Sequence, residues 1–246
     1  MPRAPLFGEI DLNPLPLVLV PGLLCDAAVW QTQVDALADV VAPWIPDHTR
    51  HDDMRALAAA VLREAPFERF ALAGFSMGGY IALEMIAQAP ERIERLALVD
   101  TSARPEKPET RESRLRLIEL AERGKFAAVP DALLPLMVHP AHLPDASIVA
   151  TIRDMARRTG KDAFVRQEQA IMSRADSRPR LGAIRCPTLV LCGRDDQLTP
   201  LEGHEEMAAG IAGATLTVLG TCGHMSTLER PEAVSGALRN WLAAAG

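Results

Sequence analysis

Ala73-Gly74-Phe75-Ser76-Met77-Gly78-Gly79-Tyr80 sets a single hydroxyl among glycines, between two apolar runs. Upstream, Phe70-Ala71-Leu72-Ala73 reads as a buried parallel strand, and downstream Tyr80-Ile81-Ala82-Leu83-Glu84-Met85-Ile86-Ala87 suits a buried helix. Ser76 therefore falls on the turn itself. A sharp strand-to-helix turn drives its central residue into a strained backbone conformation, and glycine at 74 and 78 removes the Cβ atoms that would collide around it. The hydroxyl is pushed clear of the backbone, which makes Ser76 a candidate nucleophile.

The same alternation runs through the rest of the chain. Leu15-Pro16-Leu17-Val18-Leu19-Val20 is a continuous apolar run that ends in a turn at Pro21-Gly22. Asp26 to Leu37 reads as a helix with an N-cap aspartate, Val40 to Ile45 as a strand, residues 54 to 64 as a helix, and Ile93 to Val99 as a strand. Residues 5 to 12 offer one short edge strand at most. From 103 to 183 strand signals vanish and apolar residues take helical spacing. Strands return at Thr188 to Cys192 and Ala214 to Leu219, with a helix near Leu201 to Ile211 between them and a closing helix from Pro231 to Ala244. The expected fold class is α/β: a mostly parallel sheet flanked by helices. Its core domain is 1–102 with 184–246, and residues 103–183 form an inserted helical cap.

The pattern Gly74-x-Ser76-x-Gly78 resembles the nucleophile elbow of the α/β-hydrolase fold family. The resemblance extends along the chain. Gly193-Arg194-Asp195-Asp196-Gln197-Leu198-Thr199-Pro200 follows one buried strand, and Gly223-His224 follows the last. The order Ser76, Asp196, His224 matches the family's serine, acid, histidine order. The carboxyl ends of the strands in such a sheet share one edge, so these residues are expected to converge there. Asp196 ranks first as the acid because Gly193 and Pro200 bracket it as in relatives; Asp100, at the end of an earlier strand, and Asp195 are the alternatives. By resemblance, the backbone N–H groups of Leu23 and Met77 form the oxyanion hole. Most relatives carry His-Gly at the first of these turns, where this chain has Pro21-Gly22. The glycine is what aiming an amide requires.

The resemblance implies attack by Ser76 on a carbonyl, with His224 as base and Asp196 orienting it. No cofactor or metal is implied. The first reading is an esterase or lactonase acting on a small carboxylic ester. C–C bond hydrolases, acyltransferases, lyases and a ligand receptor are the alternatives on this fold. Serine at 76 counts against the dehalogenase and epoxide-hydrolase branches, which the family associates with a carboxylate nucleophile. Leu24 and Phe75 flank the expected site, and His139, Arg166 and Gln167 are the cap residues to test as polar contacts.

Composition narrows the setting. A net charge of −6 with no basic block and ten aromatics among 246 residues argues against nucleic-acid and acidic-lipid partners. No apolar run approaches the ~18 residues of a membrane span. The N-terminal stretch has no apolar region of a secretory leader, so a cytoplasmic location is expected if this is the full gene product; a monomer or homodimer is expected. Cys25, Cys186, Cys192 and Cys222 are too scattered for a disulfide scaffold or zinc site, although Cys25 and Cys222 adjoin site motifs. Asp47-His48-Thr49-Arg50-His51-Asp52-Asp53 carries potential metal ligands, but without fixed spacing it reads as a solvated loop and helix cap.

Overall fold

The computed structural model describes residues 14–244. Six strands, β1 (Leu15–Val20), β2 (Val41–Trp44), β3 (Phe70–Phe75), β4 (Ile93–Val99), β5 (Thr188–Gly193) and β6 (Thr215–Leu219), form one sheet in the order β2-β1-β3-β4-β5-β6. All five pairings are parallel. The sheet is thus wholly rather than mostly parallel among the described residues. The edge strand expected within 5 to 12 lies outside those residues.

The continuous apolar character of the strands follows from burial on both faces. Along β1, Leu17 and Leu19 pack with one core cluster while Val18 and Val20 pack with the other, and none of the four is exposed. Burying side chains of this size stabilises the fold by about 1.5–3 kcal/mol each. One face is covered by α1 (Gln31–Leu37) and α10 (Pro231–Ala243). The other is covered by α2 (Met54–Glu64), α3 (Met77–Gln88) and α8 (Leu201–Gly210). The segment expected as one helix from Asp26 is split: Ala27–Trp30 is a 3-10 turn, capped by Asp26 through the Ala28 N–H, and α1 begins only at Gln31. Pro43 is accommodated because β2 is an edge strand, paired with β1 alone.

Between β4 and β5 the chain is helical: α4 (Pro108–Leu120), α5 (Val129–Met137), α6 (Ala146–Thr159) and α7 (Lys161–Ser173). Helix α6 shows how this segment packs. Asp145 caps it by accepting the Ser147 N–H at 2.8 Å, and Ile148, Ile152, Met155 and Ala156 form its buried stripe. No helix among the described residues is long and apolar enough to cross a membrane.

The strand order creates a topological switch point. The chain runs outward from β1 to β2, then returns to place β3 on the other side of β1. The reversal leaves a crevice at the carboxyl ends of β1 and β3, which is where open α/β sheets bind their ligands. Gly22 and Ser76 lie in the turns at those two strand ends.

Candidate active site

Ser76 closes β3 with φ 53° and ψ −116°, in the left-handed half of the map that a non-glycine residue enters only under constraint. The constraints are identifiable. The Ser76 N–H donates to Val99 O at 2.9 Å, and its carbonyl accepts the Thr101 hydroxyl at 2.7 Å. The flanking glycines are required by close backbone approach. A Cβ at Gly74 would lie 2.2 Å from Gly78 O, and one at Gly78 would lie 2.1 Å from Val20 O. The elbow is thus pressed between β1 and the start of α3, with the serine side chain directed away from both.

Two other strand ends deliver its neighbours. His224, in the loop after β6, places Nε2 2.8 Å from Ser76 Oγ and Nδ1 2.8 Å from Asp196 Oδ2. A carboxylate only accepts, so Nδ1 carries the proton and Nε2 is left to accept from the serine hydroxyl. Asp196, after β5, is fixed by the Leu198 and Thr199 N–H groups at 2.8 and 2.9 Å and by the Thr199 hydroxyl at 2.6 Å. Burial alone would lower the pKa of His224, but the adjacent Asp196 charge and hydrogen bond raise it. Burial pushes the Asp196 carboxyl up, and the imidazole and the bonds from His224 and Thr199 overcome this and hold it below its ordinary value.

The alternative acids occupy other positions. Asp100 accepts from Gly193 N–H at 2.9 Å and from the Ser226 hydroxyl, and burial, then the Asp196 charge, raises its pKa well above the usual carboxylate range. Asp195 is half-exposed and lies 3.6 Å from His139 Nε2. Neither is hydrogen-bonded to His224, whose ring nitrogens pair with Asp196 and Ser76. The loop bearing His224 is held from below by Glu229, in the short helix α9 (Ser226–Glu229). Its buried carboxylate accepts the N–H groups of both residues that flank the imidazole, Gly223 at 3.1 Å and Met225 at 3.2 Å, and that of His139 at 2.9 Å.

A cavity of about 650 Å³ opens over Ser76 and His224, with Leu23, Leu24, Phe75 and Met137 in its walls. The N–H of Met77 opens α3 and so has no acceptor within the helix, and that of Leu23 has none among the described residues. His139, Arg166 and Gln167 do not line this cavity. Arg166 donates Nε to Thr49 O at 2.8 Å. Gln167 is fully buried behind the loop after β1, where its Oε1 accepts the Leu24 N–H at 3.1 Å.

His48, read from sequence as part of a solvated loop, is 2% exposed, with Nε2 2.9 Å from Gly22 O. Its neighbours do behave as loop and cap: Asp47 accepts the Thr49 N–H, and Asp53 caps α2 through the Ala56 N–H. Among the described residues no three or more His, Cys, Asp or Glu side chains are grouped to hold a metal ion. Cys25 lies in the cavity wall and Cys222 is buried beside His224. Burial, aided by nearby acids, pushes the Cys25 thiol up to about 12 and raises that of Cys222 further, so both remain protonated. Of the residues that support the site, Gln167 comes from an element distant in sequence and no local pattern marks it. Thr199 and Glu229 are close in sequence to what they hold, three residues after Asp196 and five after His224, and that spacing is the available signal.

The geometry has counterparts of known chemistry. A thermophilic esterase from Thermogutta terrifontis superposes with a TM-score of 0.84 at 28% identity, covering 94% of this chain and 90% of that one. The enol-lactonase from Burkholderia xenovorans LB400 does so with a TM-score of 0.84 at 28% identity, covering 96% and 94%. In sequence, the 2-hydroxy-6-oxononadienedioate/2-hydroxy-6-oxononatrienedioate hydrolase of Klebsiella pneumoniae is 27% identical over 202 residues, 80% of this chain and 70% of that protein. The family model described as alpha/beta hydrolase fold matches residues 16–231. With an all-parallel sheet, a serine elbow and a family match across nearly its whole length, the chain belongs to the alpha/beta hydrolase fold family and is one of its hydrolytic enzymes.

Proposed function

We propose that this enzyme hydrolyses a small carboxylic ester or lactone through an acyl-enzyme intermediate on Ser76, beneath a cap formed by α4 to α7. The observation that carries the reading is the pair of 2.8 Å contacts that His224 makes, one to Ser76 Oγ and one to Asp196. A serine hydroxyl is un-ionised near neutral pH and needs a base at hydrogen-bond distance. As Oγ attacks the substrate carbonyl, His224 Nε2 takes its proton, and the imidazolium that results is stabilised by Asp196.

The carbonyl oxygen becomes an oxyanion, for which the N–H groups of Leu23 and Met77 are the proposed donors; the positive end of α3 adds to the second. His224 then returns the proton to the leaving alkoxide as the C–O bond breaks. Water, deprotonated by the same nitrogen, attacks the acyl-enzyme and releases the acid. The largely aliphatic lining favours alkyl acyl groups over aromatic ones.

The test is turnover of p-nitrophenyl acetate, a set of alkyl esters and a set of lactones by the enzyme and by Ser76→Ala. Ester or lactone turnover that vanishes in Ser76→Ala supports the reading, and wild-type inactivity on all of them refutes it. A second reading, attack of the same serine on a ketone carbonyl, is favoured by the relative named as a hydrolase of a 6-oxo compound. It predicts turnover of diketones in preference to esters.

A further inference from the structure

Ser76 and His224 do not exhaust the polar groups of the cavity. Along α3 from the serine, Tyr80 lines the same cavity together with Arg114 of α4 and Glu168 of α7, and Leu117, Leu120 and Ile171 make that part of the wall otherwise apolar. Tyr80 follows Ser76 by one helical turn, ~6 Å along the axis. Glu168 has no exposed surface. Its Oε2 accepts Arg114 Nη1 at 2.7 Å, while Oε1 is buried and has no partner among the described residues. Arg114 gives Nε to Glu106 at 3.1 Å, which leaves Nη2 without a partner among those residues. Glu106 in turn pairs with Arg174, whose guanidinium lies over the Tyr80 ring at 4.5 Å from its centroid.

A buried carboxylate oxygen without a hydrogen bond is rare in native proteins and is costly unless a ligand or water supplies the missing partner. The charges here are already balanced, two guanidinium groups against two carboxylates. An entering anion would face Glu168, and an entering cation would face Arg114. A neutral group that both gives and accepts a hydrogen bond meets neither obstacle. Such a group would donate to Glu168 Oε1 and accept from Arg114 Nη2. Burial raises the Glu168 pKa, and a hydroxyl also suits the protonated acid, because it can accept from it.

We infer that Arg114 and Glu168 form a subsite for a neutral hydroxyl at the far end of an acyl chain whose carbonyl lies at Ser76. The inference rests on the ester-hydrolase reading for the position of that carbonyl, and supplies what that reading lacks, a feature of the substrate.

Binding measured without turnover separates the two. In Ser76→Ala protein, calorimetry compares the methyl ester of a hydroxyl-terminated hexanoate with its methyl-terminated and carboxylate-terminated counterparts. The hydroxyl-terminated ester is expected to bind about ten-fold tighter than either, the scale of one hydrogen bond to a charged group. Adding Arg114→Leu and Glu168→Leu together should reduce the preference to within about two-fold, since replacing both partners leaves neither unpaired. If that variant does not fold, Arg114→Lys, which keeps the charge and loses the planar fork, is expected to lower the preference as well. Equal binding of the three esters, tighter binding of the carboxylate, or a preference that survives these variants overturns the inference. Wild-type inactivity on every ester overturns the hydrolase reading instead, and the calorimetric preference still reports on the subsite.

Discussion

Gln167 Oε1 accepts the backbone N–H of Leu24 at 3.1 Å across 143 residues, so helix α7 holds the loop that follows β1. Leu24 itself has φ 59°, and the bond secures that conformation one residue after Leu23, whose N–H is a proposed oxyanion donor. The helical segment between β4 and β5 is therefore tied directly to the loop that carries this donor.

Replacing Gln167 by Leu should free this loop. The expected result is a fall in kcat of about 10- to 10²-fold with a smaller change in KM, since misplacing a group that acts in the transition state costs on that order. The unpaired Leu24 N–H, buried in the native fold, should also lower stability by about 1–3 kcal/mol. Steady-state kinetics and a denaturant melt check both. An unchanged kcat would separate Gln167 from the oxyanion loop.

The pKa of His224 is raised by Asp196, and in the proposed mechanism the neutral imidazole is the reactive form. Protonation therefore sets in earlier as pH falls, and the acid limb of kcat/KM should lie above the ordinary histidine value of about 6.5. In Asp196→Asn the carboxylate is gone, so the limb should move to lower pH while the plateau drops by about 10³- to 10⁴-fold. An equivalent change in Asp100→Asn, with Asp196→Asn near wild type, would transfer the role of the acid to Asp100.

Cys25 adjoins the cavity, yet burial raises its pKa to about 12, and Cys222 is raised further. Thiolate reagents at pH 8 should leave both intact and activity unaffected. Cys186, the partly exposed cysteine among the four, is the thiol expected to react slowly. Mass mapping after brief treatment with iodoacetamide tests this; early labelling of Cys25 would contradict the assigned burial.

Parts of this arrangement are legible in sequence for physical reasons. Strands such as Leu17 to Val20 are apolar on both faces because helices cover both, and α3, with its apolar run, is bounded by the turn at Ser76 and by Pro90. Ser76, Asp196 and His224 each follow a strand in the turn that the parallel sheet brings to one edge. What sequence does not carry is long-range partners. Gln167 and Arg166 differ by one helical position, yet one is buried against Leu24 and the other bonds Thr49 at the loop, a difference set by how α7 docks. His48 sits in a polar run, and only the path of that run beneath Gly22 buries it. Glu168 and Arg114 meet because α4 and α7 pack together, and neither has a local pattern to announce it.

The most direct test of the account is the site of covalent acylation. Acid quenching of the enzyme during turnover of p-nitrophenyl acetate, followed by peptide mass mapping, should find an acetyl group on Ser76, and kcat should fall by on the order of 10⁵- to 10⁶-fold in Ser76→Ala. An acyl group trapped on another residue, or turnover retained in Ser76→Ala, would contradict it.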